Sequence, residues 1–207
     1  MTTLQKIAWF QGRRDEVPNQ ELAKELAENE DNAGIREIAE NLWHKEKNVR
    51  SDCIKVLYEI GYLRPDLIAP YVKDFLKLLK EKNNRLVWGA MIALKTIASL
   101  RPEEIGRELD TLLMVVENGS VITQVTGVSV LAQVAAGASQ HSPRIFPFLL
   151  DQLKTCTPRD VPTHTESILP AITAENKNEV LTIIEMRHPE FTAAHEKRMK
   201  KVLKQIL

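Results

Sequence analysis

The chain has few aromatic residues, two cysteines, no net charge and no long apolar run, and each shortage removes a class of protein. Aromatics make up 5% of the 207 residues while apolar residues as a whole make up 43%, a balance that suits aliphatic helix packing rather than a β-sandwich or barrel. Cys53 and Cys156 are far apart and lack any CxxC or His-paired context, so neither a disulfide framework nor thiol chemistry is indicated. Lys plus Arg number 28 against 28 Asp plus Glu, and no overall field steers the molecule toward nucleic acid or anionic lipid. No apolar run reaches the length of a membrane span, and the opening Met-Thr-Thr-Leu-Gln-Lys segment turns polar too soon for a signal peptide. The expectation is a cytoplasmic protein without a membrane segment.

Catalytic signatures are missing as well. The histidines His44, His141, His164, His188 and His195 show no HExxH or comparable ligand spacing, and His164-Thr165-Glu166 lacks the paired cysteines of a zinc deaminase. Gly119 and Gly127 are isolated, with no preceding strand and no phosphate-binding lysine, so a nucleotide loop is not indicated. The residues therefore point away from an enzyme and call for no metal and no small-molecule cofactor.

What the chain does have is a repeat. Leu63-Arg64-Pro65 returns as Leu100-Arg101-Pro102, an offset of 37, and the surrounding apolar residues return with it. Val49, Cys53, Val56, Leu57 and Ile60 fall on Leu86, Ala90, Ala93, Leu94 and Ile97, and a further shift reaches Gly127, Val130, Leu131 and Val134. Upstream, Val72, Phe75, Leu76 and Leu79 map onto Leu109, Leu112, Leu113 and Val116, then onto Phe146, Leu149, Leu150 and Leu153. Self-similarity at this period marks helical units that bury their apolar faces only by stacking on neighbours.

Each unit reads as two helices and a short turn, which gives an all-α superhelical solenoid of about five to six hairpins. In the clearest unit the first helix spans about 67–80, and the polar turn Glu81-Lys82-Asn83-Asn84 leads to a second helix that Asn84 is placed to cap. Pro102 then opens the next unit, at a position where its missing amide has no intrahelical partner to lose. The same register pairs helices over 31–61, 67–99, 103–136 and 143–174. The whole of 1–207 is read as one repeat domain with atypical capping hairpins at 1–30 and 176–207. In the first of these, helices at about 3–11 and 19–29 flank Gly12-Arg13-Arg14-Asp15-Glu16-Val17-Pro18. In the second, helices at about 177–187 and 191–206 flank His188-Pro189-Glu190.

Asn48-Val49-Arg50, followed by Cys53, Leu57, Ile60 and Gly61, resembles the second helix of a HEAT repeat. That resemblance implies a right-handed superhelix whose second helices line a concave binding face. Residues 15–46 carry ten acids against three bases, and 187–207 carry six bases against two acids, so the molecule should be electrically polar along its axis. Within the last segment Met199, Val202, Leu203 and Ile206 form one apolar stripe among lysines, the pattern of a capping helix.

Recognition residues are those the core does not require. With Cys53, Val56, Leu57 and Ile60 turned inward, the opposite side of that helix carries Ser51, Lys55, Tyr58 and Tyr62. The next unit supplies Trp88, Ile92, Lys95 and Ser99, and the one after it Val125, Ser129, Ala132 and Ala136. A strip of Trp88, Ile92, Tyr58 and Tyr62 with Lys55 and Lys95 is the expected partner-binding surface. Trp88 should be accessible enough that its replacement by Ala alters stability by less than about 1 kcal/mol. The expected function is a non-catalytic scaffold for a protein or peptide. An alternative is a HEAT-like DNA-binding protein of the alkylation-repair glycosylase type, in which Trp88, Tyr58 and Asp52 would serve the base. That reading calls for rows of Lys and Arg to neutralise phosphates, and the third strip has none, so nucleic acid is disfavoured as a partner.

Overall fold

A computed structural model describes residues 2–206 of the chain, and the described residues form helices joined by turns, with no strand among them. The helices are α1 (Val17–Glu28), α2 (Asn32–Glu40), α3 (Lys47–Leu63), α4 (Pro65–Ile68), α5 (Val72–Leu78), α6 (Asn84–Ile97) and α7 (Pro102–Gly106). They continue as α8 (Leu109–Asn118), α9 (Val121–Gly137), α10 (Ser142–Thr155), α11 (Val161–Ile168), α12 (Lys177–Arg187) and α13 (Ala193–Ile206). Two layers result. Helices α1, α3, α6, α9, α11 and α13 pack each on the next, while α2, α5, α8 and α10 lie against the second helix of their own unit and α12 rests on α10. The fold is an all-α solenoid of five helix pairs preceded by α1.

The repeat register is a packing register. Val49, Cys53, Val56, Leu57, Ile60 and their counterparts in α6 and α9 are buried, each large aliphatic among them contributing about 1.5–3 kcal/mol relative to exposure. Of the aligned positions on the first helices, Leu113 alone is half-buried and the others are buried. The caps repeat too. Glu46 accepts from the Asn48 amide, Asn83 from Arg85 and Ser120 from Thr123, so the N-caps of α3, α6 and α9 stand at the same 37-residue offset as the core. The cap of α6 is thus Asn83 rather than the expected Asn84, which is the first helical residue.

First helices are less regular than the pattern predicts. The stretch expected as one helix over 67–80 begins at Pro65 and is broken by a 3-10 turn at Ala69–Tyr71, where Pro70 has no amide to donate and its ring crowds the preceding turn. The next first helix is divided between α7 and α8, and Gly106 at the end of α7 lies so close to the His141 ring that no side chain fits between them. The second helix of the fourth pair is shorter than expected, α11 giving way to a 3-10 turn at Leu169–Ala171.

The largest departure is at the beginning of the chain. The helix expected at 3–11 is a single 3-10 turn, Leu4–Lys6, followed by turns that run to Glu16. Its amides explain why: those of Thr3 and Leu4 donate to the Glu37 carboxylate of α2, that of Ala8 to Asn19 Oδ1 at 2.9 Å and that of Trp9 to Asp52 Oδ2 at 2.8 Å. The first two would be free at the start of any helix, but with the Ala8 and Trp9 donors committed to side chains no helical ladder runs through the segment. Ile7 is fully buried and fastens the segment to the array, and Gly12 turns the chain at a φ of 67°. Residues 8–16 form a strap that lies against the start of α3. At the other end Met199, Val202 and Ile206 are buried against the array, and Arg198 ties α13 to Glu166 of α11.

Arg50, the residue that carries part of the HEAT resemblance, is used structurally. Its Nε donates to the Leu42 carbonyl at 2.9 Å, its Nη2 pairs with Glu81 at 2.8 Å, and its guanidinium lies 5.9 Å from the Trp43 ring centroid.

Candidate functional site

Where α3 and α6 run side by side, three aromatic rings form a ladder. Tyr62 and Tyr58, one helical turn apart on α3, meet edge to face with centroids 6.1 Å apart, and Tyr58 meets Trp88 of α6 at 6.1 Å with a 51° tilt. Such offset arrangements are the favourable ones for aromatic quadrupoles. Tyr58 is only 5% exposed, Tyr62 is 57% exposed and Trp88 lies between. The ladder therefore leads from solvent at Tyr62 into the layer and out again along one side of the indole.

Beside it sits a buried cation. Lys55 Nζ donates to Glu59 Oε1 at 2.5 Å one turn on, pairs with Glu16 Oε2 at 2.9 Å and lies 4.8 Å from the Tyr58 centroid. The other oxygen of Glu16 accepts from Arg85 Nη2 of α6 at 2.7 Å. A lysine 6% exposed is tolerated only when its charge is met. Burial pulls its pKa down, and the hydrogen bonds to Glu59 and Glu16 outweigh that and hold it above the ordinary lysine value. Lys55 is accordingly a fixed positive charge at neutral pH.

The strap completes the site. Ala8, Trp9, Arg13, Ser51, Asp52 and Arg85 line a cavity of about 520 Å³ between strap, α3 and α6. Trp9, which lines it, and its neighbour in sequence Phe10 are 43% and 48% exposed. On the next helix the surface is apolar: Val121 and Ile122 at the start of α9 are exposed, and Val125 and Ser129 half-buried. Among the described residues no three His, Cys, Asp or Glu side chains are placed to hold a metal ion. Both thiols have raised pKa values, chiefly through burial, which leaves them protonated and unreactive at neutral pH.

Of the residues expected to form the strip, Lys55, Tyr58, Tyr62 and Trp88 come together, and Ile92, half-buried, lies one turn beyond Trp88 on α6. Lys95 is exposed in the last turn of α6 and makes no ion pair or side-chain hydrogen bond among the described residues. Lys55 and Tyr58 are not surface residues, contrary to the helical phase, because Glu16 covers the ammonium and Trp88 and Tyr62 flank the phenol. Ser51 is buried for a related reason, its hydroxyl donating to the Lys47 carbonyl beside the strap. Sequence reasoning missed Glu16 and Arg85. Glu16 lies outside the repeat and Arg85 lies one turn before Trp88 on the same side of α6, but their meeting across 69 residues leaves no periodic trace. Asp52, the acid that base chemistry would require, accepts the Trp9 amide instead.

No family model and no curated protein matches the chain. Solved structures match along its whole length. A designed armadillo repeat protein in complex with the peptide (KR)4 superposes with a TM-score of 0.68 at 15% identity, covering 99% of this chain and 98% of its own. An engineered protein from the Northeast Structural Genomics Consortium gives 0.67 at 17% identity, with coverages of 100% and 97%. A computationally designed armadillo repeat protein for modular peptide recognition gives 0.62 at 15%, with 98% of each chain covered. At these identities the likeness is one of fold: the chain is an α-solenoid repeat protein with an armadillo-like arrangement of helices.

Proposed function

We propose that the protein is a non-catalytic cytoplasmic scaffold, a single HEAT-like repeat domain, that binds a protein or peptide segment across the second-helix layer at α3, α6 and α9. The observation that carries this reading is Trp88, whose indole rests against Tyr58 and remains partly accessible, with Ile92 one turn on in α6 and Val125 at the same register position of α9 likewise half-buried. A partly buried tryptophan beside further apolar side chains is the composition of an interface core. Similar solenoids designed for peptide recognition support it, one of them solved with a peptide bound, and so does the HEAT-like pattern of α3. Against the DNA alternative stand the engaged Asp52 and the absence of cations on the exposed side of α9, where phosphate neutralisation needs them.

The test is capture of binding proteins by wild type and by Trp88→Ala, with amide exchange then measured on the captured complex. Loss of capture by a folded Trp88→Ala variant, with protection confined to α3, α6 and α9, supports the reading. Unchanged capture, or protection on the first helices alone, refutes it.

A further inference from the structure

The Glu16 carboxylate is held at both oxygens by cations from two different helices, and nothing in its own segment needs it there. Lys55 lies on α3 and Arg85 on α6, two helices that pack on each other, and both side chains reach the same carboxylate. Glu16 occupies the N-cap position of α1 but its side chain makes no cap hydrogen bond. Rotation of one side chain therefore empties the position without unfolding α1 or the strap, whose backbone anchors are the amides of Ala8 and Trp9.

The balance of charge makes the emptied position selective. Lys55 and Arg85 face Glu16 and Glu59, two positive charges against two negative. Glu59 belongs to α3 and stays with Lys55 when Glu16 leaves, so one positive charge is then unmatched, part of it on a lysine that is more than nine-tenths buried. Lys55 then keeps one of its two carboxylates while Arg85, at an exposed position, loses the one it pairs with; an incoming carboxylate restores the balance and an incoming cation worsens it. Helical spacing determines the kind of side chain that fits beside the carboxylate, because Arg85, Trp88 and Ile92 lie at i, i+3 and i+7 on one side of α6.

We propose that Lys55 and Arg85 form a carboxylate-binding pair that Glu16 fills in the free protein, and that the partner is a peptide segment carrying an acidic side chain next to an apolar one, the acid replacing Glu16 and the apolar group lying on Trp88 and Ile92. This rests on the peptide-binding reading above and adds the chemistry of the ligand. Glu16 is then an internal competitor, and the free protein binds such a segment more weakly than the cation pair alone would.

The test uses three fluorescein-labelled synthetic peptides, each three repeats of Glu-Leu-Gly, Gln-Leu-Gly or Lys-Leu-Gly, titrated against the full chain by anisotropy. The acidic peptide should bind wild type about tenfold more tightly than the Gln peptide, the weight of one charge-assisted hydrogen-bonded pair. Glu16→Gln should tighten the acidic peptide severalfold and leave the Gln peptide unchanged. Arg85→Gln, at an exposed position that leaves the core intact, should abolish the preference; Lys55→Met should do the same, with folding checked by circular dichroism. Equal binding of acidic and Gln peptides, or preference for the Lys peptide, overturns the carboxylate pair; if that binding still depends on Trp88, the peptide groove survives. No binding of any peptide to either wild type or Glu16→Gln overturns both.

Discussion

Gly127 of α9 faces Val116 of α8 so closely that one added methyl group would overlap Val116 Cγ2. A glycine inside a helix lowers its stability by about 1 kcal/mol relative to alanine, and here that loss permits the two helices of a unit to approach. Cys53 and Ala90 hold the same repeat position in α3 and α6, where a small side chain fits. Gly127→Ala should therefore destabilise the protein by about 1–3 kcal/mol, the usual effect of overpacking a filled core, instead of stabilising it through propensity. The urea midpoint decides the sign. A gain in stability would mean that Val116 turns aside without strain.

Leu94 and Leu131 occupy one register position in α6 and α9 and are fully buried, whereas Lys95, next to Leu94, is exposed. Leu94→Ala and Leu131→Ala should each lower stability by about 2–5 kcal/mol, and Lys95→Ala should stay within about 0.5 kcal/mol. Chemical denaturation of the three variants measures both. Comparable losses at Leu94 and Lys95 would contradict the assigned faces of α6.

These two predictions draw on what was legible in the sequence, and the reason is the repetition itself. Val49, Leu86, Leu94 and Leu131 recur because each unit solves the same packing problem against the same kind of neighbour, whereas the caps Glu46, Asn83 and Ser120, though they share the offset, differ in residue type, and that of α6 stands one residue before the expected Asn84. Elements that meet once leave no such trace. Glu16 reaches Lys55 and Arg85 from a strap that no other unit possesses, so Lys55 and Tyr58, outward by helical phase, are in fact covered. The helix expected at 3–11 as part of an atypical capping hairpin failed similarly: the amides of Ala8 and Trp9 are taken by Asn19 and Asp52, partners distant in sequence. Trp88 was legible as an aromatic opposite the core, while its contact with Tyr58 depends on how α6 lies against α3.

That contact changes the expected energetics of Trp88. A tryptophan that is half-buried against Tyr58 and the core cluster contributes more to folding than an isolated surface residue and less than a fully buried one, for which truncation to alanine costs about 3–5 kcal/mol. Trp88→Ala should thus lower stability by about 1–3 kcal/mol, more than helical phase alone implies. Trp88→Phe, which keeps an apolar ring beside Tyr58, should recover a large part of that loss. Thermal or urea denaturation of the pair tests this. A loss below about 0.5 kcal/mol for Trp88→Ala would show that the indole is idle in the fold and free for a partner at no structural expense.

The last prediction concerns acid. His164 on α11 is 4% exposed, and its Nδ1 has no hydrogen-bond partner among the described residues. Burial holds its pKa below the ordinary 6.5, with the nearby Asp160 opposing only in part. In the unfolded chain the imidazole takes up its proton near that ordinary value, whereas in the folded protein it resists until a lower pH. The resulting contribution to stability is complete above about 6.5 and declines as pH falls from there toward the folded pKa. A second decline begins lower. Glu166 is kept below its ordinary 4.5 by the hydrogen bonds from Arg198, so the stability it contributes is present above that value and lost as pH falls through its folded pKa. Urea midpoints measured from about pH 7.5 downward should therefore fall in two stages in the wild type. His164→Gln should remove the first stage and leave the second, and Glu166→Gln should keep the first and reduce the second, to which Asp15, Asp66 and Glu175, also held below their ordinary values, contribute the rest. A wild-type midpoint that is flat between about pH 7 and pH 5 would show that the folded protein accepts the proton on His164 without penalty.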